Sequence, residues 1–165
     1  MPYDATIDRL PIFALFDLKG AQADMSDWGG DVLPEFPETP NTARSDGGTT
    51  LLFIGQNRWL VRADIAHEAA LETALRPAAA PPDISIVRVS DTLTFFRITG
   101  PDAAQLMSIG CPLDLHPEFF CPDAVSYTEF FGLKALVLGC ANGFEVGVEQ
   151  SFANLMADYL ARAMA

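Results

Sequence analysis

The sequence predicts an α+β fold of two small halves, each with a mostly antiparallel sheet and its helices on one face. Three observations predict it. Short apolar runs rich in β-branched and aromatic residues alternate with stripes at helical spacing, so each half runs from strands into helices. In the second half, further strands follow the first helix in antiparallel order. The stretch Ala78-Ala79-Ala80-Pro81-Pro82 reads as a linker. It puts residues 1–80 in an N-terminal half and 81–165 in a C-terminal half, together expected to form one compact unit. No internal repeat is visible beyond this loose similarity of layout.

Within residues 7–19, Ile12-Phe13-Ala14-Leu15-Phe16 reads as a buried strand, with a helical turn the alternative. Residues 20–48 include Gly29, Gly30, Gly47 and Gly48 together with Pro34, Pro37 and Pro40. Prolines remove backbone donors, so a long ordered excursion without a helix is expected there. Thr50–Ile54 and Arg58–Val61 flank Gly55-Gln56-Asn57 as a hairpin. Asp64 is placed to cap the next helix, with Ile65, Ala69, Leu71 and Leu75 inward and Pro77 as its stop.

Ile84–Val89 and Thr92–Thr99 read as strands. Gly100-Pro101-Asp102 then opens a helix with Ala103, Leu106, Met107 and Ile109 inward, and Gly110 is expected to end it in a left-handed conformation. After a loop from Cys111 to Cys121, strands are expected at Val125–Phe130, Leu133–Leu138 and Phe144–Glu149, the last two joined through Asn142-Gly143. Ser151 can cap the last helix. Its inner stripe is Phe152, Leu155, Met156, Tyr159, Leu160 and Ala163.

The charge balance, 10 Lys+Arg against 22 Asp+Glu for a net of −12, disfavours nucleic acid and anionic membranes as partners. It can instead steer the chain toward a basic partner. No apolar run approaches the ~20 residues a helical span needs. The start, Met1-Pro2-Tyr3-Asp4, lacks the basic region of a signal peptide, so a cytoplasmic location is expected. Three cysteines, Cys111, Cys121 and Cys140, are then expected as free thiols.

No phosphate-cradling GxGxxG or GxxxxGK[ST], no GxSxG and no zinc-type Cys/His spacing occurs. Of the two histidines, His67 belongs on the polar face of a helix. His116 is expected to brace its loop through backbone or Asp114. The sequence thus offers no catalytic, cofactor or metal residue. It does offer a stiff loop, Gly110-Cys111-Pro112-Leu113-Asp114-Leu115-His116-Pro117, whose leucines another chain could cover. The interface candidates are Cys111, Pro112, Leu113, Asp114, Leu115 and His116, with Trp28, Leu33 and Phe36 of the excursion as a weaker set. Replacing Leu113 and Leu115 by Asp is expected to weaken assembly while leaving the isolated chain folded.

At this loop the sequence resembles the gamma subunit of heterotetrameric sarcosine oxidase. The matching residues are Arg97-Ile98-Thr99-Gly100-Pro101-Asp102-Ala103 and Gly110 to Pro117, in similar spacing. Phe53 to Val61 resembles a hairpin of that family, from which Gln56 and Arg58 depart. Gly143-Phe144-Glu145-Val146 and Ser151-Phe152-Ala153 match near the end. The likeness spans roughly residues 49–165.

The resemblance implies a reduced aminomethyltransferase (GcvT, folate-binding-like) fold and a structural role beside alpha, beta and delta subunits, alpha most directly. It implies that FAD, FMN, NAD, tetrahydrofolate and zinc belong to those partners and not to this chain. It also implies that the complex oxidises sarcosine or a related N-methyl amine and passes the one-carbon unit to tetrahydrofolate. The alternatives are a free-standing folate-binding one-carbon protein, for which Asp91 and Phe95 could serve, and an unrelated scaffold domain.

Overall fold

The structure, a computed structural model, describes residues 3–165. The chain divides into two compact units, Ile12–Asp91, and the residues up to Pro11 taken with Thr92–Ala165. The division therefore falls at Asp91 and not at the 78–82 linker. Two edge strands are the reason. The first strand, β1 (Thr6–Arg9), is cut off by Leu10-Pro11 and pairs in the sheet of the second unit. The strand after the linker (Ser85–Arg88) pairs in the sheet of the first.

The first unit runs β2 (Phe13–Lys19), α1 (Gln22–Gly29), β3 (Ala43–Asp46), β4 (Thr49–Gly55), β5 (Arg58–Asp64), α2 (Glu68–Leu75) and β6 (Ser85–Arg88). Its antiparallel sheet has the order β3-β4-β5-β2-β6. Period-two alternation sends Ala14, Phe16 and Leu18 of β2 and Trp59, Val61 and Ala63 of β5 to one face. Met25 of α1 and Leu71 and Leu75 of α2 close over them. Asp64 caps as expected, its carboxylate accepting the Ala66 N–H at 2.8 Å. Ile65 and Ala69 nevertheless lie exposed, because a 3-10 turn over Ile65–His67 rotates them off the inner stripe.

The excursion differs from expectation. Its prolines all follow residue 33, which leaves 22–29 free to form α1, ended by Gly30 at φ 51°. Leu33 and Phe36 are buried in the unit's own core, Phe36 edge-on to Trp59 at 5.0 Å.

The second unit runs β7 (Leu93–Thr99), α3 (Ala103–Ser108), β8 (Val125–Phe130), β9 (Leu133–Cys140), β10 (Gly143–Glu149) and α4 (Ala153–Met164). Its antiparallel sheet has the order β1-β7-β10-β9-β8. Phe96, Ile98, Ala135, Val137, Phe144, Val146 and Val148 face inward, under Leu106 and Met107 of α3 and Met156 and Leu160 of α4. Of the stripe expected for the last helix, Phe152 and Leu155 are exposed: a 3-10 turn over Gln150–Phe152 precedes α4, and Ser151 makes no cap.

Written from its other edge, the first sheet reads β6-β2-β5-β4-β3. Strand for strand this is the wiring of the second: strand, helix, three-strand meander, helix, and one added edge strand. The α+β class with helices on one face of each antiparallel sheet is as the sequence indicates.

Candidate interface

The loop 110–122 starts where α3 ends. The Gly110 and Cys111 N–H groups both bond to the Met107 carbonyl, at 3.1 and 2.9 Å. Gly110 is not left-handed, contrary to expectation. It is needed for room: a Cβ there would lie 2.8 Å from the Phe131 ring, and its carbonyl accepts the Phe131 N–H at 2.9 Å.

From this anchor the side chains alternate. Cys111 and Leu115 are buried in the core of the second unit, and Leu113 is half-buried against it. Pro112, Asp114 and His116 face solvent. The leucines expected to be covered by another chain are thus turned toward this chain's own core, because the loop runs over the sheet instead of away from it.

His116 braces the next turn. Its N–H donates to Asp114 Oδ1 at 3.0 Å, its Nδ1 accepts the Glu118 N–H at 3.3 Å, and its carbonyl accepts from Phe119 and Phe120 at 2.9 Å each. The turn sends the two aromatics opposite ways. Phe120 packs on Phe144 at 6.2 Å, whereas Phe119 is 67% exposed with its ring 6.2 Å from His116. Beside it lies a groove of about 210 Å³ lined by Pro101, Leu115, Pro117, Phe120, Pro122 and Phe144. Sequence reasoning missed Phe119 and Phe120, although adjacent aromatics in a stretch with no Lys or Arg were a usable signal.

Trp28 is half-buried in the first unit. Its Nε1–H donates to the Leu75 carbonyl at 2.7 Å and its ring carries the Arg76 guanidinium at 4.2 Å. It thereby ties α1 to the end of α2.

Little else is reactive. Burial pushes the Cys111 thiol pKa up. Exposed Cys121 donates to Asp123 Oδ1 at 2.8 Å, and that bond raises its pKa. Neither is an activated nucleophile, which would need a depressed pKa. Cys140 is half-exposed and, like the other two, is not in a disulfide. On the other face of the second sheet, Arg97 donates through Nε and Nη2 to Oε1 of buried Glu145, at 3.0 and 2.7 Å. This bond holds the guanidinium proton more tightly than usual.

A second concavity of about 410 Å³ includes Thr92, Tyr127, Lys134, Glu149 and Ser151, with the Lys134 ammonium 4.9 Å from the Tyr127 ring centre. Asp91 is exposed, and Phe95 is buried with its ring against Gly147. Among the described residues, no group of three or more His, Cys, Asp or Glu could hold a metal ion. No helix there is long and apolar enough to cross a membrane.

Solved structures share this fold, among them the two that follow. Heterotetrameric sarcosine oxidase from Corynebacterium sp. U-96, in complex with pyrrole 2-carboxylate, matches with a TM-score of 0.85 at 21% identity, over 97% of this chain and 83% of the matched one. Glycine cleavage system aminomethyltransferase T from Bartonella henselae matches with a TM-score of 0.73 at 14% identity. That match covers 96% of this chain but 46% of the aminomethyltransferase, so this chain spans about half its length. No protein-family model matches the sequence, and no curated protein matches it. The likeness at these identities is one of fold, and it is the fold the sequence resemblance implied.

Proposed function

We propose that this chain is the non-catalytic gamma-type subunit of a heterotetrameric complex of the sarcosine-oxidase type, which oxidatively demethylates sarcosine or a related N-methyl amine. The observation that carries the reading is the chain-for-chain correspondence with sarcosine oxidase. Most of both chains is matched, so the likeness is to a whole small subunit and not to a domain inside a long one. The chemistry of the side chains supports a structural role. His67 is exposed, His116 is engaged in its own loop, and the Cys111 and Cys121 thiols are held protonated. In this reading FAD, FMN, NAD, tetrahydrofolate and zinc reside in the alpha, beta and delta subunits, alpha being the direct neighbour.

The test is co-expression of a tagged chain with those three subunits, followed by size-exclusion chromatography and flavin absorbance. A yellow complex that contains this chain and oxidises an N-methyl amino acid is the expected result. Elution of this chain alone and colourless, while the other three assemble, overturns the reading. The likeness to half of an aminomethyltransferase favours the second reading, a free-standing folate-binding protein. Saturable tetrahydrofolate binding by the isolated chain would establish that reading instead.

A further inference from the structure

We propose that the groove beside Phe119 docks a segment of a partner protein that carries an apolar side chain between basic residues. The inference rests on the subunit reading and names the face through which this chain joins its complex. A lone exposed phenylalanine is ordinary on a protein surface. Phe119 is different because of where it stands. At 67% exposure it is, among the described residues, the most exposed of the large apolar side chains, and in the chain it lies between Pro117 and Phe120, both of which line the apolar groove. Phe119 is thus one residue along the chain from the groove wall, with its own ring turned to solvent beside His116.

That surface is set in place before binding. The Asp114–His116 turn fixes the backbone of Glu118, Phe119 and Phe120 by hydrogen bonds, so little chain entropy remains to be lost on docking. The size of the groove decides between occupants. About 210 Å³ is below the roughly 300–1,000 Å³ of small-molecule pockets, and it suits one or two side chains.

Charge decides the partner. Residues 98–133 contain five acids, Asp102, Asp114, Glu118, Asp123 and Glu129, and no Lys or Arg. Asp114, Glu118 and Asp123 are exposed beside the aromatic pair. A second copy of this chain would meet that rim with the same sign of charge, whereas Arg or Lys around an apolar anchor complements it.

The experiment uses the co-expressed complex. Binding of this chain to the other three subunits is measured by biolayer interferometry at several salt concentrations, for the parent and three variants. Phe119→Asp is expected to raise Kd at least ~tenfold, as for an anchor at the centre of an interface. Glu118→Lys is expected to slow association about threefold or more and to flatten its salt dependence. Val87→Asp, at a half-exposed apolar site of the other unit, is the control and is expected to leave Kd within about twofold. Melting temperatures of all three should stay within about 2 °C of the parent, since the replaced side chains are exposed. Phe119→Asp binding like the parent overturns the docking surface and leaves the subunit reading intact, as does an equal loss with Val87→Asp. A parent chain that does not bind the other subunits overturns both.

Discussion

Leu115 separates two accounts of the 110–117 loop. If its side chain awaited a partner, replacing it would weaken assembly and leave the isolated chain folded. In the structure it is 7% exposed and packed in the core that α3, α4 and the second sheet share. Leu115→Ala should therefore cost the transfer energy of the lost methyl groups plus a cavity term. Core Leu→Ala changes run about 2–5 kcal/mol, and a loop site able to relax belongs near 2–3. For a unit of this size each kcal/mol moves Tm by roughly 4–8 °C, so Tm should fall by about 10–20 °C. Leu113→Ala, half-buried, should move it by less than half as much. The assay is calorimetry or circular dichroism on the isolated chain. A Tm within about 2 °C of the parent for Leu115→Ala would refute the argument, since it would mean that the loop is detachable from the core. Leu115→Asp would bury a charge as well, so it reports on folding, and Phe119→Asp is the variant that reports on assembly.

Four further outcomes follow from the geometry and the charges. Gly110→Ala should destabilise the chain by about 1–3 kcal/mol in urea melts, because the Phe131 ring must move, and pairing it with Phe131→Leu should return part of the loss. Arg97→Met removes the guanidinium that meets the buried Glu145 carboxylate at 2.7 Å. Because Arg97 is half exposed, the cost is set at about 1–3 kcal/mol, and Glu145→Met in the same chain should recover most of it. Thiol labelling followed by mass spectrometry should show Cys121 reacting slowly and Cys111 not at all in the folded chain. Asp123→Asn replaces the carboxylate by a neutral, weaker acceptor and removes the charge that favours the protonated thiol, so the Cys121 pKa falls and labelling at a fixed mildly alkaline pH speeds up several-fold. For Cys111 the folded pKa is the raised one. Unfolding therefore releases its proton first, and stability declines as pH rises past the ordinary thiol value of 9.0.

Much of the fold was legible because it is written in local signals. The turn residues around Gln56-Asn57 and Asn142-Gly143, the Asp64 cap and the Met156–Leu160 stripe each state their element within a few positions. What was not legible depends on residues far apart in sequence. β1 joins β7, ninety positions away, so no boundary argument from the 78–82 linker could assign it. Gly110 is required by the Phe131 ring and not by helix termination. The fate of Leu115 depended on whether the loop runs toward the sheet or away from it, and composition does not encode that direction. The acids and the Phe119-Phe120 pair just beyond that loop went unread, although Asp114, Glu118 and Phe119 are the part that stays exposed.

The shared wiring of the two units gives an internal control for what one residue changes. The tight turn between β3 and β4 is Gly47-Gly48, at φ 56° and 84°, and its counterpart between β8 and β9 is Phe131-Gly132, at 49° and 75°. Two-residue hairpin turns of this kind need positive φ at both positions, which glycine adopts freely. Phenylalanine there costs roughly 1–2 kcal/mol. In the first unit the glycine tip touches nothing within 4 Å of where its Cβ atoms would be. In the second the Phe131 ring packs 5.5 Å from Tyr159 of α4 and closes on Gly110, whose carbonyl takes the Phe131 N–H. Those contacts offset the strain and fasten the hairpin tip to the end of α3 and to α4. They also fix the first residue of the loop that carries Phe119. The strained turn therefore stands where side-chain contacts at the tip offset it, and the relaxed Gly-Gly turn where a side chain at the tip would meet nothing.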